Sequence, residues 1–112
     1  MSLRVEYAAW FDADLHFRTA WYLERGGSEL AHRFATAVEA TVNALRNNPQ
    51  HGRRPYPNDL DLTAIYSVLL QRPFDKHILY YRFDAEALFL ERLIHGARDL
   101  PRRLRESPFA PE

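Results

Sequence analysis

The sequence predicts an α+β domain in which a helical hairpin packs on one face of a small, mainly antiparallel sheet. Three observations support the element order β-α-α-β-β-β: an alternating segment near residue 5, helical periodicity over 13–45, and three short apolar runs within 63–95. A chain of 112 residues suits one domain. We therefore expect a single domain over 1–112, with 1–3 vector-derived or disordered and 106–112 forming a tail.

The first strand is predicted at residues 3–7, where Leu3-Arg4-Val5-Glu6-Tyr7 alternates apolar and polar side chains. Such alternation is typical of a strand with one buried face. Asp12 or Asp14 then caps the first helix or places negative charge at its start.

Two helices follow, separated by Gly26-Gly27, which ends the first of them. Ser28 is a plausible N-cap for the second helix, and Asn47-Asn48-Pro49 ends it. Their apolar stripes have helical spacing: Ala13, Phe17, Ala20 and Trp21 in the first, and Leu30, Phe34, Val38, Val42 and Leu45 in the second. So short a link predicts an antiparallel helical hairpin.

The second half of the chain predicts a meander of three strands. Residues 49–61 contain three prolines and one glycine, which indicates a loop. The strands are predicted at 63–71, 77–83 and 87–95, with turns between them. Because the helices cover one face of this sheet, we expect the opposite face to be open to a partner.

Bulk composition excludes several classes of protein. No stretch approaches the roughly 20 apolar residues of a membrane span, and the absence of cysteine excludes disulfides and thiolate metal sites. His16 and His32 lie far apart, so we expect neither a metal nor a cofactor. Cytoplasmic localisation is the default expectation. Net charge is zero, yet residues 92–105 contain five arginines and one aspartate, a cluster that can meet phosphates or an acidic partner.

Two arginines interrupt apolar strands. Alternation places Arg82 with Ile78 and Tyr80, and places Arg92 with Leu90 and Ile94. An isolated buried charge costs several kcal/mol unless it is paired. Both arginines are therefore expected on the open face, at a strand edge, or paired with acids such as Glu91 or Asp84.

Three groups of residues, in order, resemble the RelE/ParE superfamily of toxins from type II toxin–antitoxin modules, and most closely its plasmid stabilisation branch. The similarity spans roughly residues 4–105. The motifs that carry it are Asp14-Leu15 with Ala20-Trp21-Tyr22, Arg33-Phe34 through Asn48-Pro49 and Gly52-Arg53, and Pro73-Phe74 through Tyr81-Arg82 closed by His95-Gly96-Ala97-Arg98-Asp99.

This resemblance implies a compact toxin neutralised by an antitoxin that wraps a helix or strand around it. RelE-like members cut mRNA in the ribosomal A site, ParE-like members inhibit DNA gyrase, and some members have no detectable toxicity. No membrane partner is expected, and no direct binding to DNA is expected without the antitoxin.

The nuclease pattern of the RelE-like members is poorly matched. The only lysine is Lys76, no tyrosine follows Tyr81, and His77 occupies the strand position where RelE-like members place a catalytic arginine. His95 and Arg98 remain as candidate acid/base and phosphate-binding residues, although both also suit structural contacts with Asp99.

We therefore predict a ParE-like toxin that inhibits growth by binding a target such as DNA gyrase, which is not an enzymatic activity. One alternative is a RelE-like, metal-independent mRNA endonuclease that acts with the ribosome and uses His95, Arg98 and His77. Another is a non-toxic relative that retains only antitoxin binding. The candidate partner-binding residues are Arg82, Arg92, Tyr81 and Arg102.

Overall fold

The computed structural model describes residues 2–96 and 100–108. Four strands form one sheet in the order β1-β4-β3-β2, in which β1 runs parallel to β4 and the other neighbours are antiparallel. This architecture confirms the predicted α+β class. The elements are β1 (Arg4–Tyr7), α1 (Ala9–Asn47), a 3-10 turn (Pro49–His51), β2 (Tyr66–Leu69), β3 (His77–Phe83), β4 (Ala87–His95) and α2 (Leu100–Arg105).

Helix α1 is broken at Gly27, where φ is 77° and ψ is −175°. This conformation is almost restricted to glycine, so the sequence dictates the break. The first segment is residues 9–26 and the second is residues 28–47. The Leu3 N–H donates to the Arg46 carbonyl oxygen at 3.2 Å, so the end of α1 lies beside the start of β1, and Leu15 on the first segment lines one groove with Val42 on the second. The segments therefore form the predicted antiparallel hairpin.

Residue 3 belongs to the folded domain, contrary to the expectation for 1–3. Leu3 is buried in the core beneath the hairpin. The hairpin packs on one sheet face, and the tilted rings of Tyr22 and Phe34 join its two segments with centroids 4.9 Å apart. The main members of this core are Phe11, Phe34, Val38, Val42, Leu45, Phe74, Leu79, Tyr81, Leu88, Leu90 and Leu93.

A bulge in β4 changes which side chains share a face. Tyr80 pairs with Arg92, but Tyr81 pairs with Leu90, so Glu91 is the extra residue. The predicted alternation put Leu90 and Arg92 on the same face, and this is wrong. The bulge places Leu90 towards the helices and Arg92 on the opposite face.

The opposite face of the sheet is covered in part by this chain, so the expectation of an open face is wrong for that part, while Arg82 on the same face stays exposed. A second apolar cluster forms there from the loop before β2, the sheet and α2: Leu62, Ile65, Tyr80, Ile94 and Leu104, with Tyr56, Ile78 and Leu100 packed against them. Leu100 and Leu104 are four residues apart and share one side of α2. The sequence did not predict this short, arginine-rich helix.

Within the described part of the chain, no helix combines the length and the apolar character that crossing a membrane requires.

Candidate functional site

The two histidines singled out in the sequence meet at one end of the sheet. His77 begins β3, His95 ends β4, and the two are register partners with ring centroids 4.7 Å apart. The third candidate, Arg98, lies outside the described residues. The structure thus brings together two of the three predicted catalytic residues.

His77 is buried between the helical hairpin and the sheet. Its Nδ1 lies 3.0 Å from the Phe74 carbonyl oxygen, so Nδ1 carries the proton and donates it. Its Nε2, 3.4 Å from the Tyr22 hydroxyl, is then the acceptor of that O–H. Burial lowers the pKa of His77 to about 4. His77 is therefore neutral at neutral pH, and its position is that of a structural side chain.

His95 is exposed, and cations surround it. Partial desolvation lowers its pKa, and the nearby charges of Arg18, Lys76 and Arg103 lower it further. Arg103 is held beside it, since the Arg103 Nη2 donates to the His95 carbonyl oxygen at 2.9 Å. Gly96 donates to the Lys76 carbonyl oxygen at 3.1 Å, which brings the lysine beside the histidine. His95 is thus a neutral imidazole within a positively charged surface.

Arg18 extends this surface onto the first segment of α1. It is half-buried, and its pKa is lowered chiefly by desolvation. Its Cζ lies 5.0 Å from the Trp21 ring centroid, and the Cζ of Arg25 lies 4.0 Å from the same ring. We call Arg18, Arg25, Lys76, His95 and Arg103 the cationic site. Guanidinium and ammonium donors in this arrangement can bind carboxylates or phosphates.

Arg92, predicted to bind a partner, is used inside the chain. Its Nε lies 2.7 Å from Asp14 Oδ2, and its Nη1 donates to the carbonyl oxygens of Arg103, at 2.7 Å, and Glu106, at 2.8 Å. The bulge at Glu91 turns it towards the face that α2 covers, where only 7% of it is exposed. In this conformation Arg92 is unavailable to a partner, and we withdraw that assignment.

Tyr81 is likewise buried. Its hydroxyl donates to the Pro49 carbonyl oxygen at 2.6 Å and accepts from the Gly52 N–H at 3.0 Å. These two hydrogen bonds hold the segment that follows α1 against the sheet. We therefore withdraw Tyr81 as a partner-binding residue too. A Cβ at Gly52 would come within 2.4 Å of the Tyr81 hydroxyl, which explains the glycine.

The other two predicted partner-binding residues are exposed. Arg82 pairs with Glu91 at 2.9 Å, one of the partners that the sequence suggested. Arg102 lies on α2 and pairs with Glu106. Both side chains remain accessible to a partner.

Sequence reasoning missed the residues of α1 that complete these sites. Asp14 was assigned to the start of the helix and to the first family motif, without a partner, and Arg18 and Arg25 were not singled out. One signal was present, because Arg18 and Arg25 stand three residues before and four residues after Trp21, and such neighbours touch along a helix. The Asp14–Arg92 contact left no such local signal.

A second accessible feature lies between the two segments of α1 and strand β1. It is a groove of about 430 Å³, and Tyr7 at its rim is 53% exposed. The N–H groups of Arg4 and Ala8 point towards β4, so those of Val5 and Tyr7 point away, along an outer strand edge. Apolar side chains make up most of its lining, and polar ones complete it: Val5, Leu15, Ala35, Val38 and Val42, with Thr19, Glu39, Asn43 and Arg46.

This arrangement of a helical hairpin on a four-stranded sheet has a counterpart among solved structures. A solved chain titled "Chromosomal ParDE TA system from P. aeruginosa" matches with a TM-score of 0.68 and 14% sequence identity, covering 86% of this chain and 98% of that chain. This likeness shows the fold.

The family is shown by sequence. The family model described as the ParE toxin of type II toxin-antitoxin system, parDE, matches residues 5–100. The chain belongs to this ParE toxin family, which confirms the predicted relationship to the RelE/ParE superfamily. A search of curated proteins found no match.

Proposed function

We propose that this ParE-family toxin inhibits growth by binding a protein target such as DNA gyrase, and that a cognate antitoxin neutralises it. The family match over residues 5–100 is the observation that carries the proposal. The chemistry of the candidate site supports binding in preference to RNA cleavage.

A metal-free ribonuclease requires a general base, a general acid and cations for the phosphate. His77 and His95 both have a lowered pKa, which makes them poor proton donors at neutral pH. His77 is also shut away from a substrate by burial. The described residues thus supply cations and a candidate base, His95, without a histidine acid to match it.

The antitoxin is proposed to bind at the outer edge of β1 and in the adjoining groove. Val5 and Tyr7 offer unpaired backbone groups there, so an extended antitoxin segment can add a strand. Its apolar side chains would then enter the groove beside Leu15, Val38 and Val42. This arrangement uses an exposed strand edge together with an apolar groove.

The docking site is tested by Tyr7→Glu, which places a charge at the rim of the groove. We expect the affinity for the antitoxin encoded by the neighbouring gene to fall at least about tenfold, as measured by calorimetry. Leu69→Glu is the matched control, because Leu69 is similarly exposed, at 57%, but lies on β2 at the other edge of the sheet. Equal effects of the two changes would contradict this docking site.

Toxicity is tested by inducing the chain alone in a bacterium and then with the neighbouring gene. We expect growth arrest that coexpression relieves. Absence of arrest at confirmed soluble expression would favour the non-toxic alternative.

The target is tested with purified protein, in a gyrase supercoiling assay and in primer extension on translated mRNA. We expect inhibition of supercoiling and no new mRNA ends. Cleavage that His95→Ala or Arg98→Ala abolishes would instead establish the endonuclease alternative.

A further inference from the structure

The cationic site is a surface where positive charge is concentrated on side chains from three parts of the fold. Arg18 and Arg25 come from the first segment of α1, Lys76 and His95 from the paired ends of β3 and β4, and Arg103 from α2. Among the described residues, the charges that act on His95 are those of Arg18, Lys76 and Arg103, all of them positive. A ligand for this surface must therefore be anionic.

Two of the guanidinium groups are held in place before any ligand arrives. Trp21 packs against both Arg18 and Arg25, whose Cζ atoms lie 5.0 and 4.0 Å from its ring centroid. Stacking on an aromatic ring restricts a long side chain while its N–H donors stay available. Less conformational entropy is then lost when an anion binds.

Arg18 is the residue of the cationic site whose surroundings most favour the binding of an anion. It is half-buried against the rings of Phe17 and Trp21, and no carboxylate of the described residues is hydrogen-bonded to it; the nearby Asp14 carboxylate, whose charge opposes the lowering of the Arg18 pKa by burial, is paired with Arg92. Arg92, by contrast, is buried with its carboxylate, Asp14, in place. A charge removed from water without a counterion is stabilised when a carboxylate approaches it.

The character of the surrounding surface indicates what carries the anion. The whole chain has a net charge of zero and a pI near 7.0, whereas nucleic-acid-binding domains are typically strongly basic. Phe17, beside Arg18, is 65% exposed. Aromatic residues and arginine together are typical anchors of protein–protein interfaces.

We propose that the cationic site binds an acidic segment of a protein partner, whose carboxylates contact Arg18, Arg25 and Lys76 beside the exposed ring of Phe17. The groove proposed for the antitoxin adjoins β1, which pairs with residues 87–90 of β4, whereas the cationic site lies at the far end of that strand, at His95. We assign this partner as the toxin's target and not as the antitoxin, and this assignment rests on the proposed function.

Binding is tested with a hexaglutamate peptide in a Trp10→Phe background, where Trp21 is the sole tryptophan and reports on the site by its fluorescence. We expect a saturable change in fluorescence. The affinity for the peptide should fall at least tenfold in Arg18→Gln/Arg25→Gln and by a smaller factor in Lys76→Gln. Arg82→Gln is the control, because that exposed arginine already pairs with Glu91.

Three results would overturn the acidic-segment assignment. They are no saturable change with the peptide, equal weakening by Arg82→Gln, or tighter binding of a single-stranded oligothymidylate of equal charge at the same salt concentration. Circular dichroism checks that each variant is folded. Lys76 is exposed in a turn, so Lys76→Gln keeps the test decisive if the double variant does not fold.

The target assignment is tested separately in cells. Arg18→Gln/Arg25→Gln should abolish growth arrest and retain affinity for the antitoxin. Full arrest by this variant, or loss of antitoxin binding, would overturn the assignment to the target. If the unmodified chain causes no arrest, the proposed function fails while the peptide experiment still decides the ligand class.

Discussion

Asp14 and Arg92, 78 residues apart in the sequence, form a buried ion pair that joins the first segment of α1 to β4 and α2. Asp14 Oδ2 also accepts the Leu93 N–H at 2.9 Å, at the edge of β4 beyond the reach of β1. Arg92 reaches on to backbone carbonyl oxygens of Arg103 and Glu106. One pair thus closes a strand edge and holds α2 over the second face of the sheet.

Removal of the carboxylate should be costly. We expect Asp14→Ala to lower the free energy of unfolding by about 3–5 kcal/mol, because it leaves a buried guanidinium without its counterion. The Leu93 N–H also loses its acceptor. Urea denaturation measures the change.

The matched control is Glu91→Ala, which removes the partner of exposed Arg82 and should cost about 1 kcal/mol or less. Similar losses of stability in the two variants would contradict the prediction that the buried Asp14–Arg92 pair stabilises the fold more than the exposed Arg82–Glu91 pair does.

Substitution of Gly27 is expected to destabilise the protein because of the backbone conformation at this residue. A Cβ at this position would meet no atom within 4 Å, but φ is 77°. Gly27→Ala should therefore destabilise the protein by about 1–3 kcal/mol through backbone strain alone. Thermal or urea unfolding provides the measurement, with Glu24→Ala at an exposed residue inside the first segment as the control. A stability gain in Gly27→Ala would show that the hairpin tolerates a different junction.

Stability should fall in mild acid because His77 is buried in its neutral form. Its pKa is lowered to about 4, whereas the unfolded chain protonates this residue near 6.5, so the unfolded state binds more protons between these values. The stabilisation is complete above about pH 6.5 and is lost as pH falls towards 4. From pH 7 to pH 5 we expect a loss of about 2 kcal/mol from this residue.

Urea midpoints at pH 7 and pH 5 test this expectation. His77→Gln should flatten the pH dependence, whatever its effect on stability at pH 7. His95 contributes a dependence of the same sign, since its pKa is also lowered, so His95→Gln is a useful comparison. If stability depends on pH just as steeply in His77→Gln, the pH dependence cannot be assigned to His77.

The hydroxyl of Tyr81 should contribute measurably to the stability of the fold. Tyr81→Phe leaves the Pro49 carbonyl oxygen and the Gly52 N–H without their partner, and we expect a loss of about 1–3 kcal/mol. Tyr7→Phe is the control, because that side chain is 53% exposed. Hydrogen exchange adds a local test, since the Gly52 amide should exchange faster in Tyr81→Phe. Unaltered protection of Gly52 would argue against this contact.

Local patterns were sufficient to predict the elements of this fold other than the short helix α2. Apolar spacing around Phe34 and Val42 defines the second segment, and the Gly26-Gly27 pair locates the break. Strands β3 and β4 occupy 77–83 and 87–95, as predicted, while β2 is shorter than its predicted range and covers Tyr66–Leu69. These features depend on neighbours within a few residues, which sequence periodicity records directly.

The candidate site was only partly visible in the sequence. His77 and His95 were identified, and their pairing follows from the meander. Tyr81 and Arg92 were misassigned, because a side chain's face depends on an unbroken alternation and on what covers that face. A single extra residue at Glu91 inverted the pattern, and α2 covered the face that was expected to be open.

The sequence by itself thus determined the order of helices and strands as far as β4, the break at Gly27 and the family of the protein. Tertiary structure alone decided that Arg92 is an internal counterion of Asp14, that α2 and the loop before β2 cover part of the second sheet face, and that Arg18 and Arg25 join His95 in one cationic site. The physical reason is distance along the chain. Periodicity reports interactions between near neighbours, whereas burial and charge pairing are set by residues that only folding brings together.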